Sequence, residues 1–329
     1  MSCFFLRVVI IFLCYLSAWV CRCSDVIAEA EVRVNTGDAF PVTRTEAASS
    51  QNCLVNHETS SLKLPLFDNG GVIFFLHIPK TGGTTIRRNL ENLTRIHYVF
   101  GRNYSVYWDE APKVEEAILH GTQNNTILFY EIHAKDAPSF YRLRKRLHRW
   151  RETANRNKVP IFFFSLVRDP LAFSFSHFSF FHVQERNPSF ERCNATEENF
   201  RRLSLWNPQC QFLFKGEASL RAQEPKNVVI QADECHDIQT NMWSLMDWVG
   251  TTERLSNETL PLLGHLLDLP SDFRFDRFKV TKESGVSFGR DNVTNATIDL
   301  ILEMSALDTM LYNSVRERYT FSKIELLMI

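Results

Sequence analysis

Apolar residues in this chain gather in short unbroken runs, separated by longer stretches in which they recur at helical spacing. Val72 to Leu76 is the first such run, with the length and composition of a strand buried on both faces. Tyr98-Val99-Phe100-Gly101 predicts a short second strand. Asn125 to His133 predicts a third that ends on a histidine, and the stretch from Val159, apolar but for Ser165, a fourth that ends in Arg168-Asp169-Pro170. The stretches between carry the helical period. Ile86, Leu90 and Leu93 follow the first strand; Trp108 to His120 mixes acidic and apolar positions; Leu143, Leu147 and Trp150 mark one face of Phe140 to Lys158. Leu260, Leu262, Leu263, Leu266 and Leu267 are core positions. Asp299 to Phe321 predicts one closing amphipathic helix. Strands alternating with helices give an α/β fold with a central parallel sheet flanked by helices.

The ends of the chain read differently. One arginine precedes an apolar run from Val8 to Cys21, so residues 1–23 form a secretory signal peptide or a short type II membrane anchor. Residues 24–68 lack periodicity and are rich in Ser, Thr, Asn, Glu and Ala, which predicts a stem ahead of a folded domain over 69–329. Either form of the leader puts the bulk of the chain in a lumenal or extracellular space. Seven Asn-x-Ser/Thr sequons agree with that compartment, at Asn92, Asn103, Asn124, Asn194, Asn257, Asn292 and Asn295. Asn92 lies close to the loop described next, which argues against its use. Beyond the leader stand four cysteines, Cys53, Cys193, Cys210 and Cys235. They suggest two disulfides, with Cys193 to Cys210 favoured because it closes a short loop. No metal-ligand spacing occurs among them.

Composition narrows the partners. A net charge of −1 supplies no global field toward nucleic acid or anionic membranes, so a polyanion site has to be a local patch. With 27 phenylalanines the chain is too aromatic for disorder.

Candidate chemistry concentrates after the first strand, in Pro79-Lys80-Thr81-Gly82-Gly83-Thr84-Thr85. Strand, glycine-rich turn and helix aim backbone N–H groups and a helix N-terminus at one point, which suits an anion. Gly82 and Gly83 allow close approach, Lys80 adds a full positive charge, and the hydroxyls of Thr81, Thr84 and Thr85 add donors. Lys80 precedes the glycines, so this is not a Walker loop.

Phe75 to Thr85 resembles the 5′-phosphosulfate loop of the Golgi carbohydrate sulfotransferases, nearest to the heparan sulfate 6-O-sulfotransferase branch and more distantly to the 2-O branch. The resemblance implies a P-loop-NTPase-like sulfotransferase fold and 3′-phosphoadenosine 5′-phosphosulfate (PAPS) as sulfuryl donor, with no metal. A second stretch, Ser165-Leu166-Val167-Arg168-Asp169-Pro170 running on to Ser176, resembles the family's 3′-phosphate motif about ninety residues on. There an arginine and a serine eight residues later, here Arg168 and Ser176, grip the 3′-phosphate. Phe173 stands where family members often have a second arginine. Ile132-His133-Ala134 matches the family's catalytic-base segment, which makes His133 the general base and leaves His77 a structural or supporting role. Trp206 to Leu213 resembles a segment lining the acceptor and cofactor cleft, Trp248 to Leu255 with the leucines after it the family's late strand and helix, and Lys279 to Gly285 a loop over the donor's adenosine.

Between the two motifs lies a basic amphipathic helix bearing Arg142, Arg144, Lys145, Arg146, Arg149, Arg151, Arg156 and Lys158. Arg142, Lys145, Arg146 and Arg149 are candidates for an anionic glycan acceptor, since guanidinium forks pair well with sulfate and carboxylate. A secreted, glycosylated chain gives nucleic acid no role. Two other classes remain at this point. A P-loop-like kinase would need magnesium ligands, and an inactive glycan-binding protein would keep the basic helix without turnover.

Overall fold

A computed structural model describes residues 64–101, 104–134, 140–183, 191–214, 232–270, 272–276 and 289–318. The leader, nearly all of the stem, Cys53 and the Lys279 to Gly285 loop lie outside the described residues. Among those described, no helix is long and apolar enough to cross a membrane.

Five strands form one all-parallel sheet in the order β2-β3-β1-β4-β5. They are β1 (Gly71–His77), β2 (Ile96–Gly101), β3 (Ile127–His133), β4 (Ile161–Val167) and β5 (Trp248–Thr251). β1 and β4 are buried at every position, as their continuous apolar runs predict. Helix α1 (Gly83–Leu90) links β1 to β2, α2 (Tyr104–His120) links β2 to β3, and α3 (Phe140–Asn157) links β3 to β4. After β4 come α4 (Pro170–Phe178), α5 (Glu197–Leu203), α6 (Pro208–Phe214) and α7 (Ala232–Leu245). α8 (Leu260–Leu266), α9 (Asn295–Met304) and α10 (Ala306–Arg318) follow β5.

Each face of the sheet has its own core. Phe74, Tyr130 and Phe163 pack against Leu143, Leu147 and Trp150 of α3, with Val114 of α2 and Leu311 of α10. On the opposite face Phe75, Phe129, Phe162 and Phe164 meet Ile86 and Leu90 of α1 and the leucines of α8. Each buried phenylalanine contributes roughly 2–3 kcal/mol of apolar transfer, and the two-sided core is the main reason the sheet forms. A satellite cluster joins Phe175 and Phe178 of α4 to Phe200 of α5 and Ile298 and Ile301 of α9.

Two expectations change. The closing helix is broken into α9 and α10 at the buried Ser305. The cause is Asn207, whose N–H donates to the Met304 carbonyl (2.7 Å) and whose side-chain oxygen accepts from the amides of Leu307 and Asp308 (2.8 and 3.3 Å). A side chain from outside the helix thus caps the second piece. The favoured Cys193–Cys210 pairing also gives way, because the Cys210 sulfur lies 2.7 Å from that of Cys235, both buried, while Cys193 sits near His182.

The topology fixes where a ligand can go. Leaving β1 the chain turns toward β2, and leaving β4 it turns toward β5, although β1 and β4 are neighbours. Strand exits that diverge open a crevice at the carboxyl edge of the sheet. It is flanked by the Ile78–Gly83 loop on one side and Arg168–Pro170 on the other.

Candidate active site

The loop after β1 is held in an unusual shape. Lys80 adopts a left-handed backbone (φ 71°) and Gly82 another (φ 102°), the latter a region glycine enters without strain. Gly82 is the N-cap of α1 and brings no side chain to it, so the amides of Gly83 and Thr84 have no side-chain cap, while that of Thr85 donates to the Gly82 carbonyl (2.9 Å). Gly83 is required for a different reason. A Cβ there would meet the His77 ring at 2.2 Å.

The rest of the loop is braced from within. The Thr81 hydroxyl is fully buried and donates to the Ile78 carbonyl (2.7 Å), so it serves the loop and does not face an anion, contrary to the sequence expectation. Thr252 donates to the Thr81 carbonyl (2.9 Å) from the turn after β5. Thr84 and Thr85 are half-buried on the first turn of α1. The Lys80 ammonium rests over the Phe180 ring, 4.1 Å from its centroid.

Arg168 closes the other side of the crevice. Its NH1 donates to the Lys80 carbonyl (3.0 Å), which ties the two motifs together across β1 and β4. Its Nε is buried with no hydrogen-bond partner, a donor that an anion would satisfy. Burial pulls this guanidinium below its ordinary pKa, against the charges of Glu253 and Asp169. Gln209 grips the Arg168 backbone at both groups, accepting from its N–H (2.9 Å) and donating to its carbonyl (2.8 Å). Ser176 lies half-buried on the second turn of α4. Trp206 to Leu213, expected to line a cleft, acts here as the brace behind Arg168.

His133 ends β3 in direct register with His77 at the end of β1. Its half-buried ring stands edge-on to His77, with centroids 4.6 Å apart, and to Phe100 at 5.0 Å. Beneath them sits a residue the sequence reading passed over, Glu131, which is fully buried. Its Oε1 contacts His77 Nδ1 (2.6 Å) and Arg87 NH2 (3.4 Å), and its Oε2 accepts from Tyr98 OH (2.6 Å) and Arg87 Nε (3.2 Å). Burial pushes this carboxyl up, but the hydrogen bonds from His77 and Tyr98 and the charge of Arg87 outweigh it and hold it below the usual carboxylate range. Burial and the Glu131 charge push the Tyr98 phenol well above its ordinary value, so it stays a donor. By donor type His77, Glu131 and His133 could hold a metal ion. Arg87 already occupies both carboxylate oxygens, which favours an ion-pair network over a cation site.

The basic helix divides. Because α3 runs from the carboxyl edge of β3 back to the start of β4, only its first turns border the crevice. Arg146 pairs with Glu115 (3.2 Å), Arg149 approaches the same carboxylate (3.8 Å), and Arg144 bonds Asn241. Arg151 reaches Asp247 (2.6 Å) and the Ile161 carbonyl (3.1 Å) at the far edge. Much of the charge run therefore holds helices to the sheet, leaving Lys145 and Arg149 exposed; the Arg142 side chain is outside the described residues.

A sulfotransferase family model matches residues 66–320, well over half of the chain. The chain belongs to the sulfotransferase family. No curated protein matches it. Membership makes it a transferase of sulfuryl groups in general, on the α/β sulfotransferase fold, and enzymes of this family generally use PAPS as donor.

Proposed function

We propose that this sulfotransferase moves the sulfuryl group of PAPS to a hydroxyl of a carbohydrate, with a heparan-sulfate-like glycan as acceptor. The observation that carries the reading is the uncapped start of α1 beside Lys80, together with the orphaned Nε of Arg168, whose guanidinium reaches from the end of β4 to the Lys80 carbonyl. Two anion-seeking features on neighbouring strand ends suit a ligand with two phosphate groups. PAPS is such a ligand, and when bound it supplies an activated sulfuryl group next to its 5′-phosphate.

The amides of Gly82, Gly83 and Thr84, the hydroxyls of Thr84 and Thr85 and the charge of Lys80 would hold the 5′-phosphosulfate and offset negative charge that develops on the leaving oxygen. Arg168 and Ser176 would hold the 3′-phosphate. His133, at the end of β3, would accept the proton of the acceptor hydroxyl. Lys145 and Arg149, exposed on α3, would meet an anionic glycan, and Arg142 and Arg146 are the other candidates of that helix for it. The compartment consistent with the leader and sequons is the Golgi lumen, with the chain anchored or released.

The test is transfer of labelled sulfate from PAPS to a panel of glycans by the chain secreted from a eukaryotic host, with Lys80→Ala and His133→Ala alongside. Each folded variant is expected to lose about 10²-fold or more. Full activity in His133→Ala would remove the base assignment. Failure to bind 3′-phosphoadenosine 5′-phosphate would overturn the PAPS reading.

A further inference from the structure

Glu131 is an odd residue for its place. Its neighbours on the same face of the sheet, Phe75, Phe129 and Phe164, are apolar and fully buried, and a buried ion pair is seldom more stabilising than well-packed apolar residues. Here it occurs one position from the crevice edge, with four contacts converging on its two oxygens. A carboxylate kept ionised can only accept, so the proton in its short contact with His77 belongs to Nδ1. In the neutral ring that fixes the His77 tautomer and makes Nε2 a lone-pair nitrogen. Nε2 is buried and has no hydrogen-bond partner. The ring cannot turn away, because Gly83 closes on it from α1 and Phe75 stacks on its face, 5.1 Å between centroids at 16°. The imidazole it meets edge-on is His133, and one nitrogen of each ring and a Glu131 oxygen all lie within 4.8 Å of one another.

We propose that Glu131 is a positioning residue which acts through His77. It holds the neutral His77 ring as the Nδ1–H tautomer, so that the ring standing edge-on to His133 carries a bare Nε2 rather than a second N–H beside the group that would take the substrate proton. When His133 takes that proton it becomes an imidazolium, whose charge is spread toward His77 and stabilised by the Glu131 carboxylate. No proton leaves Glu131, and none is added to it. Arg87 and Tyr98 keep the carboxylate charged and aimed. This rests on the sulfuryl-transfer reading for its kinetic consequence, but not for the tautomer.

The experiment compares the full chain with Glu131→Gln and, because that change also leaves Arg87 without its counter-charge, with Tyr98→Phe. Two-bond nitrogen–proton correlation spectra of histidine-labelled protein read the tautomer directly. The wild type is expected to show His77 protonated at Nδ1 and bare at Nε2, and Glu131→Gln to show a mixture. Sulfuryl transfer is expected to fall about 10²-fold in kcat in Glu131→Gln, with KM for PAPS unchanged, and less in Tyr98→Phe. A wild-type His77 protonated at Nε2 overturns the proposal. So does a Glu131→Gln protein that keeps its kcat, or one whose loss lies in KM and melting temperature alone. If no acceptor is ever sulfated, the donor–acceptor reading fails while the tautomer result still decides this one. If Glu131→Gln does not fold, the wild-type tautomer together with the kcat of Tyr98→Phe decides it.

Discussion

Two strand-to-helix turns flank the crevice, and they are built on opposite plans. The turn after β1 ends at a helix whose N-cap is a glycine in a left-handed conformation, with no side chain over the first amides. The turn after β4 ends at a helix whose N-cap, Asp169, accepts from the Ala172 amide (2.9 Å) and is followed by Pro170, which has no N–H to offer. One helix start is open and the other is closed by its own carboxylate. An anion at the first can be held by backbone and helix dipole; at the second it has to be held by the Arg168 side chain. The supports follow the same division. The open loop leans on the His77 ring and on Thr252, whereas the closed turn is clamped by Gln209, itself anchored by Asp308 through the amides of Gln209 and Cys210 (both 2.9 Å).

The most damaging way to break this contrast is Gly83→Ala. The added methyl meets a ring that is pinned on Glu131 and cannot swing clear. A loss of about 3 kcal/mol is expected, at the upper end for overpacking, together with loss of nucleotide binding. Chemical denaturation and a titration with 3′-phosphoadenosine 5′-phosphate measure both. Wild-type stability in this variant would show that the loop does not rest on His77.

Much of the contrast was readable before any coordinates. The apolar runs of β1 and β4, Gly82 and Gly83, and Asp169-Pro170 carry local signals, since strand, cap and first-turn preferences act within a few residues. The placement of His133 at the carboxyl edge of the sheet followed from its position at a strand end. Glu131 was also legible in part, as a charge two residues from His133 in an otherwise apolar run and therefore on the same face. Gln209 left no such trace, because its contact with Arg168 spans 41 residues and depends on the chain returning past β4. The basic helix misled for a related reason. Its arginines carry a strong local signature, yet their partners Glu115, Asn241 and Asp247 lie on other elements. Sequon hydroxyls had a second use as well, since Thr196 and Thr294 are helix N-caps.

A gentler break targets the closed turn through its buried anchor. Burial pushes Asp308 up to about 6, against the amide bonds of Cys210 and Gln209, from an ordinary value of 3.8. A raised folded pKa means that the folded state holds the proton more tightly. The stabilising contribution of this group is thus fully present below 3.8 and is lost as pH rises through about 6. At most about 1.4 kcal/mol per pH unit is at stake inside that window. Asp308→Asn removes it, so the stability difference between wild type and variant should change with pH from 4 to 6 and level off above. Parallel curves from denaturation at each pH would count against a titrating Asp308.

The smallest change asks whether closing the second helix matters for more than the helix. Asp169→Ala uncaps α4 and should cost about 1 kcal/mol, a melting shift of a few degrees in a domain of this size. Asparagine caps about as well as aspartate but carries no charge, so Asp169→Asn should keep the stability. Both variants remove a negative charge beside the Arg168 guanidinium, and Asp169 is one of the two acids that oppose the effect of burial there. If the cap alone matters, only the alanine variant should melt early, and both should bind the 3′,5′-bisphosphate nucleotide like wild type. If the charge also restrains Arg168, both variants should bind that nucleotide more tightly, by roughly threefold for a change of well under 1 kcal/mol in a partly exposed pair. In that case the closed turn differs from the open one by design in its electrostatics as well as in its backbone, with the cap carboxylate setting how strongly its neighbouring arginine attracts an anion.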